Sequence, residues 1–290
     1  MNEPKIVITA AGSLCSLGTG FEEVARNLAT TPTPTMVRSF QFHEFPSEVP
    51  CFRVADYEPK EVLGKKGLRL KDWSTKLLLG TMELGFKDVY ETADPEQRPG
   101  ICVGTAFGSV ESIGDFLSDS IENGVNHVNP QLFANTVINS PTGNANIRYE
   151  TRSLSCTVAT GFNAGLDALI YAVNYLRSGY VDMIVAGGLD EVGYYTLMGL
   201  KRSGVYSSTG RARPFAKEAD GIVMGEGCGL VLVETEESAR RRGATILAQI
   251  AGTGSAFDCA PSAGGFNPRG EGARRAVTAA CSAAGITARD

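Results

Sequence analysis

Histidine is nearly missing: the 290 residues contain two, His43 and His127. Chemistry that needs two or three histidines is therefore nearly excluded within this chain. The seven cysteines form no C-x-x-C pair and their number is odd. That argues against a zinc site or a disulfide framework and for a reduced, cytoplasmic compartment. No apolar run approaches the roughly 18 residues that a membrane span requires. The opening MNEPKIVITAAG lacks the basic start and long apolar core of a signal peptide. Positive charge is not in excess either, with 27 Lys and Arg against 32 Asp and Glu and a net charge of -5. An acidic chain is a poor general binder of nucleic acid. The expectation is a protein with no membrane span, no nucleic-acid partner and no metal.

What is present is an ordinary globular composition, 43% hydrophobic and 20% charged, long enough to bury a core without staples. Lys5–Thr9 is a short strand entering a Gly/Ser turn, AAGSLCSLG. Phe21–Ala29 has helical spacing. Residues 31–60 hold five of the 13 prolines and two Thr-Pro steps, and are expected to run as a long excursion over the surface. Asp72–Glu91 carries apolar residues at mostly helical spacing, with Asp72 able to cap it. Gly100–Gly104 is a buried strand, followed by helices over Val110–Glu122 and Thr142–Tyr149. Ser153–Thr157 is a further strand.

The segment GFNAGLDALIYAVNYLRSGY places Phe162, Leu166, Leu169, Ile170 and Val173 on one helical face and closes at Gly179. VDMIVAGG is a continuous apolar strand of the buried parallel type. GCGLVLVE and TILAQIAGTG are two more strands around the charged helix ETEESARRRG, and Gly270–Ala284 is the last helix. Strands and helices alternate, so the class is α/β. The Gly225–Gly229 run is not a G-x-G-x-x-G fingerprint, and neither a phosphate-binding G-x-x-x-x-G-K-[ST] nor a G-x-S-x-G elbow occurs. No cofactor is expected.

From residue 100 onward the chain resembles the β-ketoacyl synthases of fatty-acid and polyketide assembly. The likeness rests on blocks in one order: GICVGTAFGSVES, NPQLFANTVINSPTGNANI, SLSCTVATGFNAGLDAL, VDMIVAGGLDEV, and RARPFAKEADGIVMGEGCGLVLVETEESARRRGA. KKGLRLKDWSTKLLLGTMEL extends it upstream. The resemblance implies a thiolase-like layered fold with the first half complete over residues 1–243. Residues 244–290 would open a second, truncated half.

The family's chemistry needs a Cys at the N-terminus of the core helix, where the helix end and two histidines favour a thiolate that accepts an acyl chain. Matching Gly161 to the family puts Val158 at the Cys position, and valine cannot be acylated. Cys156, two residues earlier, reads either as a displaced nucleophile or as a small buried core residue. The late "H-G-T" and "F-G-F-G-G" blocks that supply the two histidines are absent.

The segment ATGFNAGLDAL is similar to the chain-length factors, ketosynthase-like subunits that have lost the Cys. The resemblance therefore implies a non-catalytic subunit that forms a heterodimer with an active ketosynthase and serves an acyl carrier protein transiently. Its rivals are an acyltransferase active through Cys156 and a fragment of a longer ketosynthase. By the same resemblance Phe107, Phe133, Val137 and Ile138 are candidates for the dimer face and the floor of the partner's acyl tunnel, or else plain core and interface residues. Lys65, Lys66, Arg69 and Lys71 are candidates for docking the acidic carrier protein, or else a solvated helix start. Asp220 and Glu226 fall in the family's "D-G-x-x-x-G-E-G" run and are expected to hold loops by accepting N–H bonds.

Overall fold

A computed structural model describes residues 3–30, 35–40, 43–258, 267, 269–287 and 289. In chain order the elements are β1 (Ile6–Cys15), β2 (Gly18–Thr19), α1 (Phe21–Asn27), β3 (Thr35–Phe40), β4 (His43–Cys51), α2 (Pro59–Leu63) and α3 (Trp73–Thr92). There follow β5 (Gly100–Gly104), α4 (Val110–Asn123), α5 (Ser140–Tyr149), β6 (Ser155–Val158), α6 (Ala164–Arg177), β7 (Met183–Asp190) and α7 (Tyr194–Arg202). The chain continues with β8 (Gly227–Thr235), α8 (Glu236–Arg241), β9 (Ala248–Ile250) and α9 (Glu271–Ala284).

The main sheet has the order β2-β1-β8-β7-β5-β6, with β9 on the same edge of β1 as β2. β7 pairs in parallel with β5, and β5 with β6, whereas β8 runs antiparallel to both β7 and β1. So β7 is parallel on one side only, where its apolar run alone predicts a parallel strand. Alternation along the strands feeds two cores. Ile101, Val103, Val185 and Leu230 face α3 and α5, together with Leu77, Leu78, Met82, Phe86 and Ala145. Cys102, Ile184, Ala186 and Val233 face α6, together with Ala168, Ala172, Val173 and Leu176. The α3/sheet/α6 sandwich is the layered α/β arrangement expected from the sequence.

α3 forms where its cap places it: the Asp72 carboxylate accepts from Thr75 N at 2.9 Å, satisfying one of the free donors of the first turn. Two expectations are corrected. Residues 31–60 are not a plain surface excursion. β3 and β4 make a hairpin whose Phe45, Val49 and Cys51 are buried against Leu197, Leu200 and Met224. The two Thr-Pro steps lie outside the described residues. The Gly/Ser segment after Thr9 is strand and not turn, because Gly12 lies where α3 crosses β1. A Cβ there would sit 2.9 Å from the Thr81 carbonyl oxygen and 3.3 Å from Gly85 Cα.

β9 is also shorter than TILAQIAGTG suggests. Gly252 and Gly254 pass directly beneath α9, so that an added Cβ would meet the Ala280 and Ala276 carbonyl oxygens at 2.2 and 2.1 Å. That stretch serves helix contact instead of the sheet. No helix among the described residues is long and apolar enough to cross a membrane.

Candidate functional site

The carboxyl ends of parallel strands are where open α/β sheets place their ligands. Here the ends of β5, β6 and β7 meet the N-terminus of α6. Gly104 closes β5, and a Cβ on it would lie 2.0 Å from the Ala164 carbonyl oxygen. A Cβ on Gly165 would lie 3.1 Å from Gly188 Cα in β7. Helix and sheet are thus in backbone contact at this point.

Val158, which the resemblance sets at the family's Cys position, lies before the turn that leads into α6. It is the last residue of β6, 6% exposed, in the apolar cluster under α6. Thr105 N donates to its carbonyl at 2.9 Å, which ties the end of β6 to the end of β5. The chain then turns at Gly161, whose φ of +84° is accessible to glycine without strain. Ala164 N donates back to Gly161 O at 2.9 Å and α6 begins. Phe162 and Asn163 fill the turn before the first helical residue. Phe162 is 65% exposed, and the N-cap Asn163 beside it is exposed too, its amide making no cap hydrogen bond. Neither carries a thiol or a hydroxyl.

Cys156 lies within β6, opposite Cys102 in the β5–β6 register. Burial pushes the Cys102 thiol up, with the neighbouring Cys156 thiol adding to the rise. Cys156 is packed against the same cluster as Val158, on the strand and not at the helix end.

Phe107 stands on the turn that follows β5. Its ring meets the Phe162 ring edge-on, with centroids 5.7 Å apart at 80°. The turn is held by Asp190 at the end of β7. Its carboxylate accepts from Thr105 Oγ1 at 2.7 Å, from Ala106 N at 2.9 Å and from Phe107 N at 3.1 Å. Burial raises the Asp190 pKa, and these donors oppose the rise. Asp190→Ala is expected to destabilise the chain by about 2 kcal/mol, because two backbone N–H groups lose their acceptor. Chemical denaturation measures this, and an unchanged midpoint would show that solvent satisfies the turn.

Ile138 lies against Gly108, where an added Cβ would come within 2.7 Å of its side chain. Ser109 Oγ donates to the Val137 carbonyl at 2.9 Å. Phe133 packs edge-on to Phe116 of α4 at 5.8 Å. So Phe107, Val137 and Ile138 share one neighbourhood around the 105–109 turn, and Phe133 joins it through α4. Phe133, Val137 and Ile138 remain exposed. So do Val110, Ile113, Leu117 and Ile121, which recur along one side of α4.

The basic strip divides. Lys65, Lys66 and Arg69 are exposed. Lys71 is only half-exposed and turns its ammonium inward to Asn144 Oδ1 of α5. Burial lowers its pKa. Asp220 is exposed and takes bonds from Ser207 Oγ, Ser208 Oγ and Thr209 N at 2.8, 2.9 and 3.0 Å. Those donors, the Ser207 hydroxyl first, hold its carboxyl far below the ordinary range. Glu226 is buried and accepts from Val54 N at 2.9 Å and Val192 N at 3.3 Å. Glu226 joins segments distant in sequence, whereas Asp220 closes the loop that begins at Ser207.

Sequence reasoning overlooked a cavity of about 830 Å³ between the hairpin, the start of α3, α4 and the β7–α7 link. His43, Trp73, Asp115, Glu191 and Tyr194 are among its walls. His43 is a packing residue there, stacked on Tyr194 at 4.6 Å and hydrogen-bonded to Tyr195 Oη at 2.8 Å. Glu191 is 8% exposed. It accepts from Ser74 N at 3.1 Å. Burial, reinforced by the Asp72 carboxylate, pushes its pKa up to about 8.

Comparison with known proteins gives a consistent picture. The family model "Beta-ketoacyl synthase, N-terminal domain" matches residues 61–239. The 3-oxoacyl-[acyl-carrier-protein] synthase 2 of Rhizobium meliloti (strain 1021) is 28% identical over 313 residues, spanning 99% of this chain and 72% of that protein. The putative mitochondrial 3-oxoacyl-[acyl-carrier-protein] synthase of Schizosaccharomyces pombe (strain 972 / ATCC 24843) is 28% identical over 305 residues, covering 98% of this chain and 70% of its own length. Among solved structures, "The ishigamide ketosynthase/chain length factor" superposes with a TM-score of 0.88 at 26% identity, over 99% of this chain and 72% of that one. A β-ketoacyl synthase from Burkholderia phymatum STM815 shares the fold, with a TM-score of 0.83 at 22% identity over 99% and 72% of the two chains.

Proposed function

The chain belongs to the β-ketoacyl synthase family, and from that premise we propose that it is a non-catalytic, chain-length-factor-like subunit. On this reading it pairs with an active ketosynthase and shapes that partner's acyl tunnel in polyketide or fatty-acid-like assembly. One observation carries the reading: the turn at the α6 N-terminus, where a nucleophile must stand, carries Phe162 and the N-cap Asn163 and no thiol. A thiolate is activated by the unpaired N–H groups and positive dipole end of such a helix. Phenylalanine has nothing for them to activate. Cys156 lies in β6, eight residues before Ala164, on the strand side of the turn.

The exposed apolar face supports a partner. Val110, Ile113, Leu117 and Ile121 of α4, with Phe133, Val137 and Ile138 beside them, place large side chains in water. Contiguous patches of this kind mark interaction surfaces. Phe107 stands at the edge of that face, where its ring can close the end of a neighbour's tunnel. Lys65, Lys66 and Arg69 offer an acyl carrier protein a basic contact, without Lys71. Residues 1–243 form the first thiolase half in this reading and residues 244–290 open the second.

The test is to purify the chain alone and together with the ketosynthase encoded beside it. The expected result is a 1:1 complex by size-exclusion chromatography, with condensation of malonyl carrier in the complex and none from the chain alone. Intact mass after incubation with acyl carrier substrate is expected to show no adduct. Condensation by the lone chain, or an acyl adduct on Cys156, overturns the reading.

A further inference from the structure

β5 and β6 are neighbouring parallel strands, and their register sets Cys102 directly opposite Cys156. Side chains alternate along a strand, so two residues in register point to the same face of the sheet. Both thiols accordingly pack in the cluster under α6, where they are close enough to share a hydrogen bond. Cys51 and Cys228 belong to two other clusters. Adjacent strands run about 4.7–4.9 Å apart, within the roughly 4.4–6.8 Å between Cα atoms that a disulfide spans. The two Cβ atoms must draw slightly together, because a disulfide holds them about 3.5–4.5 Å apart. β6 can supply that movement. It ends the strand order of the sheet and, among the described residues, pairs with β5 alone.

The two thiols differ in access. Cys102 is fully buried, whereas Cys156 is half-buried on the edge strand. A small oxidant reaches Cys156 first, with Cys102 behind it. That is the arrangement of a reactive thiol beside a resolving one.

We propose that Cys102 and Cys156 are a redox-modification site, a dithiol that hydrogen peroxide converts into an intramolecular disulfide bridging β5 and β6. The Cys156 sulfur attacks one peroxide oxygen and the O–O bond breaks. The Cys156 thiol proton leaves with the other oxygen as water, and Cys156 becomes a sulfenic acid. The Cys102 sulfur then attacks the Cys156 sulfur, so that the S–S bond forms and the S–O bond breaks. Burial holds Cys102 protonated, and its proton passes to the departing hydroxyl as the second water. Two thiols are oxidised by two electrons and one peroxide is reduced to two waters. A bridged Cys156 has no thiol left to modify. The site is independent of the subunit reading.

The experiment uses the full chain, folded and reduced. It is exposed to hydrogen peroxide, blocked with N-ethylmaleimide and digested without reductant for mass spectrometry. The expected result is a cross-linked peptide joining Cys102 to Cys156, with Cys51 and Cys228 recovered as thiols. In Cys102→Ala the resolving thiol is gone, and dimedone is expected to label Cys156 as a sulfenic acid several-fold more than in the wild type. Should Cys102→Ala fail to fold, Cys102→Val, whose side chain suits a buried strand, carries the same measurement.

Cys156 recovered as a thiol, or as a sulfinic acid with Cys102 unmodified, overturns the proposal. So does pairing of either cysteine with any other, or equal dimedone labelling of Cys156 in the wild type and the variant.

Discussion

Replacing Gly104 with valine is expected to leave no soluble, folded chain. The first added atom would lie 2.0 Å from the Ala164 carbonyl oxygen, 2.1 Å from its carbon and 2.5 Å from Gly165 N. All three obstacles are backbone. β5 cannot retreat, since it is hydrogen-bonded to β6 on one side and β7 on the other. α6 cannot retreat either without lifting Ala168, Ala172 and Leu176 out of the cluster they share with Ile184 and Val233. Overpacking costs about 1–3 kcal/mol where side chains can yield. Here none can, and the cost approaches the roughly 5–15 kcal/mol that holds a typical domain together.

The milder Gly104→Ala is expected to fold with a markedly lowered denaturation midpoint. Gly199→Ala in α7 is the control. Nothing lies within 4 Å of the added Cβ there, so it is expected to gain about 0.5–1 kcal/mol. If both alanine variants had the same midpoint, α6 would not be seated on the strand ends as described.

The second large effect concerns pH. The Glu191 carboxyl has a folded-state pKa of about 8 against an ordinary value of 4.5, mainly because it is buried. A group whose folded pKa is raised binds its proton more tightly in the folded chain. Its contribution to stability is fully present below pH 4.5 and is lost as pH rises through about 8. The wild-type chain is therefore expected to weaken across that window. Glu191→Gln keeps an acceptor for Ser74 N and removes the charge. It is expected to flatten the dependence and to be the more stable protein at alkaline pH, by an amount on the order of a few kcal/mol. Urea denaturation at about pH 5 and about pH 8.5 would measure it. Parallel curves for the two proteins would mean that Glu191 ionises like an exposed carboxylate.

α3 and α6 were legible in the sequence because their signals are local. Asp72 stands three residues before the N–H it caps, and α6 shows helical spacing within its own length. The buried face of α6 is a different one from the expected: Ala164, Ala168, Ala172, Val173 and Leu176 pack inward, whereas Phe162 and Leu166 are each 65% exposed, because the close seating of α6 on the sheet admits small side chains. The hairpin of β3 and β4 was not legible. Its prolines, Pro46 and Pro50, argue against a strand, and its burial depends on Leu197 and Leu200, some 150 residues further on. Separation in sequence also hid the inward turn of Lys71, whose partner Asn144 lies 73 residues on, in α5.

At the site, family spacing led to the segment between β6 and α6. Counting back from Gly161 favours Val158, which lies at the end of β6, while Phe162 and Asn163 stand between Gly161 and the start of α6. Asp190 had a visible signal, since it is the first acid after the glycine pair of the VDMIVAGGLDEV block. Glu191 had none beyond its neighbour, because burial against Ser74 is a tertiary fact.

Trp73 is the sole tryptophan of the chain, and it stands on the wall of the large cavity with Tyr57 tilted against it at 5.9 Å. Its indole Nε1 is buried and makes no hydrogen bond among the described residues. The protein thus carries a single intrinsic fluorophore, placed where the hairpin, α3 and α4 converge. Emission excited at the red edge of the absorption band reports on that one spot, free of background from any other indole. Entry of a solute into the cavity, or separation of the hairpin from α3, can be followed by light without attaching a label.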